Sequence, residues 1–141
     1  MEQIALQVHI VTIIFLGLLV LYTDHVGLTW MRGKVGVVSK KMVRVLHHLV
    51  WLGLTLMIGS GFVMFLSYKD FLLVTPVFYA KMFFVAALIV NALVIGKCMH
   101  VATVRPFSEL TSKERLPLVV SGGISTLSWI GAILCGLSLG I

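Results

Sequence analysis

Charged residues make up only 11% of this 141-residue chain, against 60% hydrophobic ones. That is too little polar surface to cover a soluble globule, which excludes an ordinary water-soluble fold. Acidic residues are the rarer sign, five against eleven Lys and Arg. Cysteine occurs twice, at Cys98 and Cys135. The two fall toward opposite ends of separate apolar stretches, so no disulfide is expected between them. Proline occurs three times, and none interrupts the first two apolar stretches. Internal repeats and low-complexity segments are absent.

What the chain has instead is four long apolar stretches. They are expected to form helices over residues 3–23, 45–67, 77–100 and 117–140, each about the 20 residues that cross about 30 Å of hydrocarbon. The expected fold is an all-α integral membrane four-helix bundle, up-down-up-down, with a single transmembrane domain over residues 1–141. The first stretch carries Glu2 ahead of it rather than a basic residue, and no small-x-small site precedes Tyr22-Thr23-Asp24-His25. It is therefore read as a retained helix and not as a signal peptide.

Arg32, Lys34, Lys40, Lys41 and Arg44 flank the first connection, and Lys97, Arg105, Lys113 and Arg115 flank the third. The positive-inside rule places both connections in the cytoplasm and both termini outside, in a bacterial inner membrane. Topology and anionic lipid headgroups explain these basic residues fully, so no nucleic-acid partner is expected. Thr75-Pro76 has the form of a helix start. Thr111-Ser112-Lys113-Glu114 has capping-box spacing, ahead of Pro117, which is expected to start or bend the last span. Gly53, Gly59 and Gly61, with Ala86, Ala87 and Ala92, allow close helix approach, or room for a flat cofactor.

Ionisable residues inside such stretches are costly and mark sites by default. His9 lies about two turns into the first helix and Lys81 about one turn into the third, at matching depth. Lys81 has two readings, a side chain reaching back to the interface or one turned into the bundle. His25, His47, His48 and His100 gather near the opposite face. His48 shares a helix face with Leu52, Thr55 and Gly59 and is taken as the inward-facing candidate. Histidine at matched depth on different helices is how a bundle holds haem iron or a metal ion, so His9 and His48 are the candidate ligands. Asn91 is a candidate cofactor contact, and Ser121, Ser125 and Ser128 share one face of the last helix. Asp24 is expected to pair with Arg44 or Arg32, and Trp30 to anchor at the interface.

His9-Ile10, Thr55-Leu56-Met57-Ile58-Gly59 and Phe78-Tyr79-Ala80-Lys81 resemble segments of the HemJ-type protoporphyrinogen oxidases and of the wider CopD-like group of small four-helix membrane proteins. The resemblance implies a bound haem b, removal of hydrogens from protoporphyrinogen, and functional roles for His9 and Lys81, the latter catalytic. Leu6, Gln7 and Val8 stand where the family has a Trp/Lys pair, and Leu21-Tyr22-Thr23-Asp24 where it has Leu-Pro-Arg.

Three functions are compatible with these features. One is a haem-b-binding redox protein with a porphyrin or quinone partner and possible protoporphyrinogen-oxidase-like activity. Another is a non-catalytic accessory subunit or homo-oligomer packed through small residues. The third is a small metal-handling or transport module, although no Met-x-Met or His-x-x-His pattern is present.

Overall fold

The computed structural model describes residues 2–140. Four long helices run up-down-up-down: α1 Glu2–Met31, α2 Lys40–Leu72, α3 Pro76–Cys98 and α4 Ser112–Leu139. All four are long and apolar enough to cross a membrane. Large apolar side chains such as Ile4, Leu18, Phe62, Phe83 and Leu127 stand exposed around the outside. Water would not tolerate so continuous an apolar surface, and lipid does. The chain is an all-α four-helix integral membrane bundle.

α1, α2 and α4 outrun their apolar stretches at one end or both, whereas α3 ends at Cys98 and passes into a 3-10 turn over Met99–Thr103. α1 continues two turns past Thr23 because nothing in Thr23-Asp24-His25 breaks it. The Thr23 and Thr29 hydroxyls donate back to the carbonyls of Val20 and Val26 at 2.8 Å, and the chain turns only near Gly33, whose φ of 72° suits glycine. α2 departs from helical geometry at Tyr68, at the end of its apolar stretch, and closes with one more turn. α4 begins at Ser112, where Thr111 and Glu114 form the expected capping box, and Pro117 lies inside the helix rather than at its start.

Packing divides the bundle into two hairpins. α1 lies along α2 and α3 along α4, while the two pairs meet over far less of their length. Missing Cβ atoms permit the close approaches: a methyl at Gly53 would lie 2.6 Å from Leu16 Cγ, and one at Gly131 2.5 Å from Phe84 Cζ. Gly59, by contrast, faces open space. Leu16, Leu19, Leu54, Met57, Leu88, Ala92 and Trp129 form a central core.

A second core seals the end that carries the two longer connections, with Trp30, Val38, Ala102, Leu110 and Leu118. Trp30 is not an interface anchor. It is 1% exposed, donates its indole N–H to the Arg105 carbonyl at 3.2 Å, and meets Phe107 edge-on at 5.3 Å. Its long α1 helix carries it under the α3–α4 connection, which an interface position would not do. The Val38 amide donates to the Ala102 carbonyl at 2.8 Å, and Arg105 pairs with Glu114.

Candidate functional site

Toward the end that holds the short α2–α3 turn, one polar cluster is buried among the helices. His9 on α1 is 7% exposed, and its Nδ1 lies 2.9 Å from the Ser60 hydroxyl on α2. The Ser60 hydroxyl donates along its own helix, to Leu56 O at 2.8 Å or Met57 O at 3.1 Å. With that hydrogen given to a backbone carbonyl, the Ser60 oxygen accepts from the Nδ1–H tautomer of His9, the tautomer in which Nε2 is unprotonated. The Met57 backbone also hydrogen-bonds the ring. An imidazole fixed at one nitrogen and unprotonated at the other is the usual arrangement of a metal-ligating histidine.

Lys81 on α3 belongs to the same neighbourhood. Its ammonium lies 3.5 Å from the position a Cβ would take at Gly136 on α4. Its charge is close enough to be felt at His9. The half-buried side chain thus turns along α4, while Tyr79 and Phe78 occupy the helix start, Tyr79 donating to the Leu73 carbonyl at 2.9 Å and Phe78 stacking on Phe65 at 5.6 Å. Gly61 completes the surroundings, with its missing Cβ 3.4 Å from His9 Cε1. His9 and Lys81 therefore share one neighbourhood, as their matching depth implied.

A second feature fills the opposite half of the bundle. Between the two hairpins is a cavity of about 750 Å³, lined from all four helices and widely apolar. Neither His9 nor Lys81 lines it. Asn91 does, but its amide is already engaged: Nδ2 donates to the Ser121 carbonyl at 3.1 Å, and Oδ1 accepts from the Ser121 hydroxyl at 2.6 Å. Ser125 lines the same wall, while Ser128 is buried in the helix packing.

The inward histidine of α2 is His47, and the expected orientation of His48 is reversed. His48, Leu52, Thr55 and Gly59 are all exposed, and His48 Nδ1 is spent on the Arg44 carbonyl at 2.7 Å. The inward stripe is Gly53, Leu54, Met57, Ser60 and Met64, and counting back from it reaches His47. The His47 ring packs so closely on α3 that a methyl at Gly96 would lie 2.5 Å from its Cε1. Trp51 Nε1 donates to His47 Nε2 at 3.1 Å. Glycine and serine, not the more polar-looking Thr55 face, were the signal for the interior.

His48 is also twelve residues along α2 from Ser60, the residue beside His9, which is about 18 Å at 1.5 Å per residue. His9 and His48 cannot share an ion. Among the described residues no three His, Cys, Asp or Glu side chains converge as a metal site. Asp24 lies inside α1, where it accepts from Thr126 on α4 at 3.3 Å. The ion pair expected with Arg44 or Arg32 does not form among the described residues.

No family model, curated protein or solved structure matches this chain.

Proposed function

We propose that this chain is a haem-b-binding redox protein of the membrane, in which His9 would hold the haem iron. The observation that supports the reading is the buried contact of His9 Nδ1 with the Ser60 hydroxyl at 2.9 Å, which suits the Nδ1–H tautomer and an unprotonated Nε2. The donor set suits haem better than a bare ion, because haem needs one or two protein ligands and supplies four nitrogens of its own. His9 packs on Gly61 and Lys81 on Gly136, in van der Waals contact with the place a Cβ would take.

Haem bound there supplies one-electron chemistry at its iron. Ser60 holds the ring of His9 in place and keeps its second nitrogen unprotonated. Lys81 provides a cation for a porphyrin carboxylate or a proton at Nζ. In the orientation given by the basic connections, this cluster lies in the outer half of a bacterial inner membrane. Protoporphyrinogen oxidation, implied by the resemblance of His9-Ile10 and Phe78-Tyr79-Ala80-Lys81 to the HemJ-type oxidases, is the activity to assay.

Substitution of the histidines one at a time tests the assignment. His9→Ala is expected to abolish the haem bands of the purified protein while His48→Ala retains them. Loss with His48→Ala and retention with His9→Ala overturns it.

A further inference from the structure

The cavity between the hairpins is separate from His9 and Lys81 and has its own chemistry. Its volume of about 750 Å³ falls within the roughly 300–1,000 Å³ of small-molecule sites. Its position among membrane-spanning helices and its mostly apolar wall select a lipid-soluble ligand. Besides Lys40, Arg44 and His100, two polar groups on that wall are only partly used by the protein.

One is a donor. His47 Nε2 accepts from the Trp51 indole at 3.1 Å, so the ring hydrogen sits on Nδ1, where no acceptor is found among the described residues. The other is an acceptor. Asp24 lines the cavity with no Lys or Arg in ion-pair range among the described residues. Its one contact, the Thr126 hydroxyl at 3.3 Å, shares a single hydrogen with the Gly122 carbonyl at 3.1 Å. The register of α1 on α2, set by His9 against Ser60 and Leu16 against Gly53, brings Asp24 and His47 within about one helical turn in depth.

We propose that this cavity binds a membrane quinol or quinone, with the His47 N–H donating to one ring oxygen and Asp24 accepting from the hydroxyl at the other. The ring and its apolar tail match the apolar wall. A carboxylated ligand meets Asp24 as well as Lys40 and Arg44, and a cationic one meets Lys40 and Arg44 as well as Asp24, so a neutral headgroup suits this mixed wall best. The inference concerns binding and stands whether or not haem occupies the His9 cluster.

Purified protein in detergent is titrated with a decyl-substituted benzoquinone, read by quenching of the cavity tryptophans Trp30 and Trp129, and its quinol is then added as competitor. Saturable quenching is expected, with the quinol competing at lower concentration than the quinone itself binds. Asp24→Asn, whose amide donates to a carbonyl, reverses that order. Gly122→Leu, placed where nothing lies within 4 Å of a new Cβ, raises half-saturation at least ten-fold. Ser125→Leu replaces it if circular dichroism shows that Gly122→Leu loses helicity. A saturable titration in a folded preparation that shows no haem bands although expressed with haem available removes the haem reading and leaves this one standing. Unsaturable quenching of folded protein, an unchanged titration in the filled-cavity variant, or tighter competition by oleate than by the quinol overturns it.

Discussion

The Nδ1 of His9 and the hydroxyl of Ser60 face each other at 2.9 Å across the α1–α2 seam. The contact joins two turns of different helices and suits the tautomer in which Nε2 is unprotonated. Ser60→Ala removes the acceptor. Interhelical hydrogen bonds in bundles average about 0.6 kcal/mol, so the fold survives. Loss of a ligand-orienting partner costs about 10–100-fold in metal affinity. The expected outcome is a folded protein with haem affinity weakened by that factor, measured by haem titration alongside thermal unfolding.

Lys81→Met keeps the length and apolar stem of the side chain and removes its charge. With the ammonium turned along α4 toward Gly136, the variant is expected to keep its helicity and to lose cofactor or oxidase activity. Unfolding and the visible spectrum, recorded on one preparation, separate the two effects. Full retention of both cofactor and activity removes Lys81 from the site.

The glycines divide into those that permit a close approach and those that do not. Gly53→Ala and Gly131→Ala place a methyl against the buried Leu16 and the Phe84 ring, and overpacking of this kind costs about 1–3 kcal/mol. Gly59→Ala enters open space and is expected to be neutral or slightly stabilising through helix propensity. Unfolding midpoints of the three variants in one detergent check the contrast.

Asn91 and Ser121 hold each other through both polar atoms of the amide. A double-mutant cycle with Asn91→Ala and Ser121→Ala is expected to give a coupling of about 0.6–1.7 kcal/mol. The Ser121 carbonyl contact survives Ser121→Ala, so the single variants differ, with Asn91→Ala the more destabilising.

Trp30 offers a test of the second core. Trp30→Ala empties a site only 1% exposed and is expected to cost about 3–5 kcal/mol. Trp30→Phe keeps most of the ring but loses the bond to the Arg105 carbonyl, at about 1 kcal/mol. An interface tryptophan would tolerate both, so equal stability of the alanine variant and the native protein contradicts the buried placement.

The bundle was legible because hydropathy alone marks membrane-spanning helices, and the depth of His9 and Lys81 followed from counting turns. The helix faces were not. In lipid, the outward surface is as apolar as the core, so Leu52 and Leu54 look alike although one is exposed and the other buried. That is why His48 rather than His47 was expected to face inward. The extension of α1 past Thr23 was hidden as well, because Asp24 and His25 carry the polarity of a loop while their backbone continues as helix. With it went the true places of Asp24, on the cavity wall, and of Trp30, under the α3–α4 connection.

The central claim is that His9 presents an unprotonated Nε2 to haem. Its most direct test is the reduced-minus-oxidised absorption spectrum of detergent-purified protein expressed with haem available. Sharp Soret and α bands of b-type haem are expected at about one haem per chain, lost in His9→Ala. A flat difference spectrum from a well-folded preparation contradicts it.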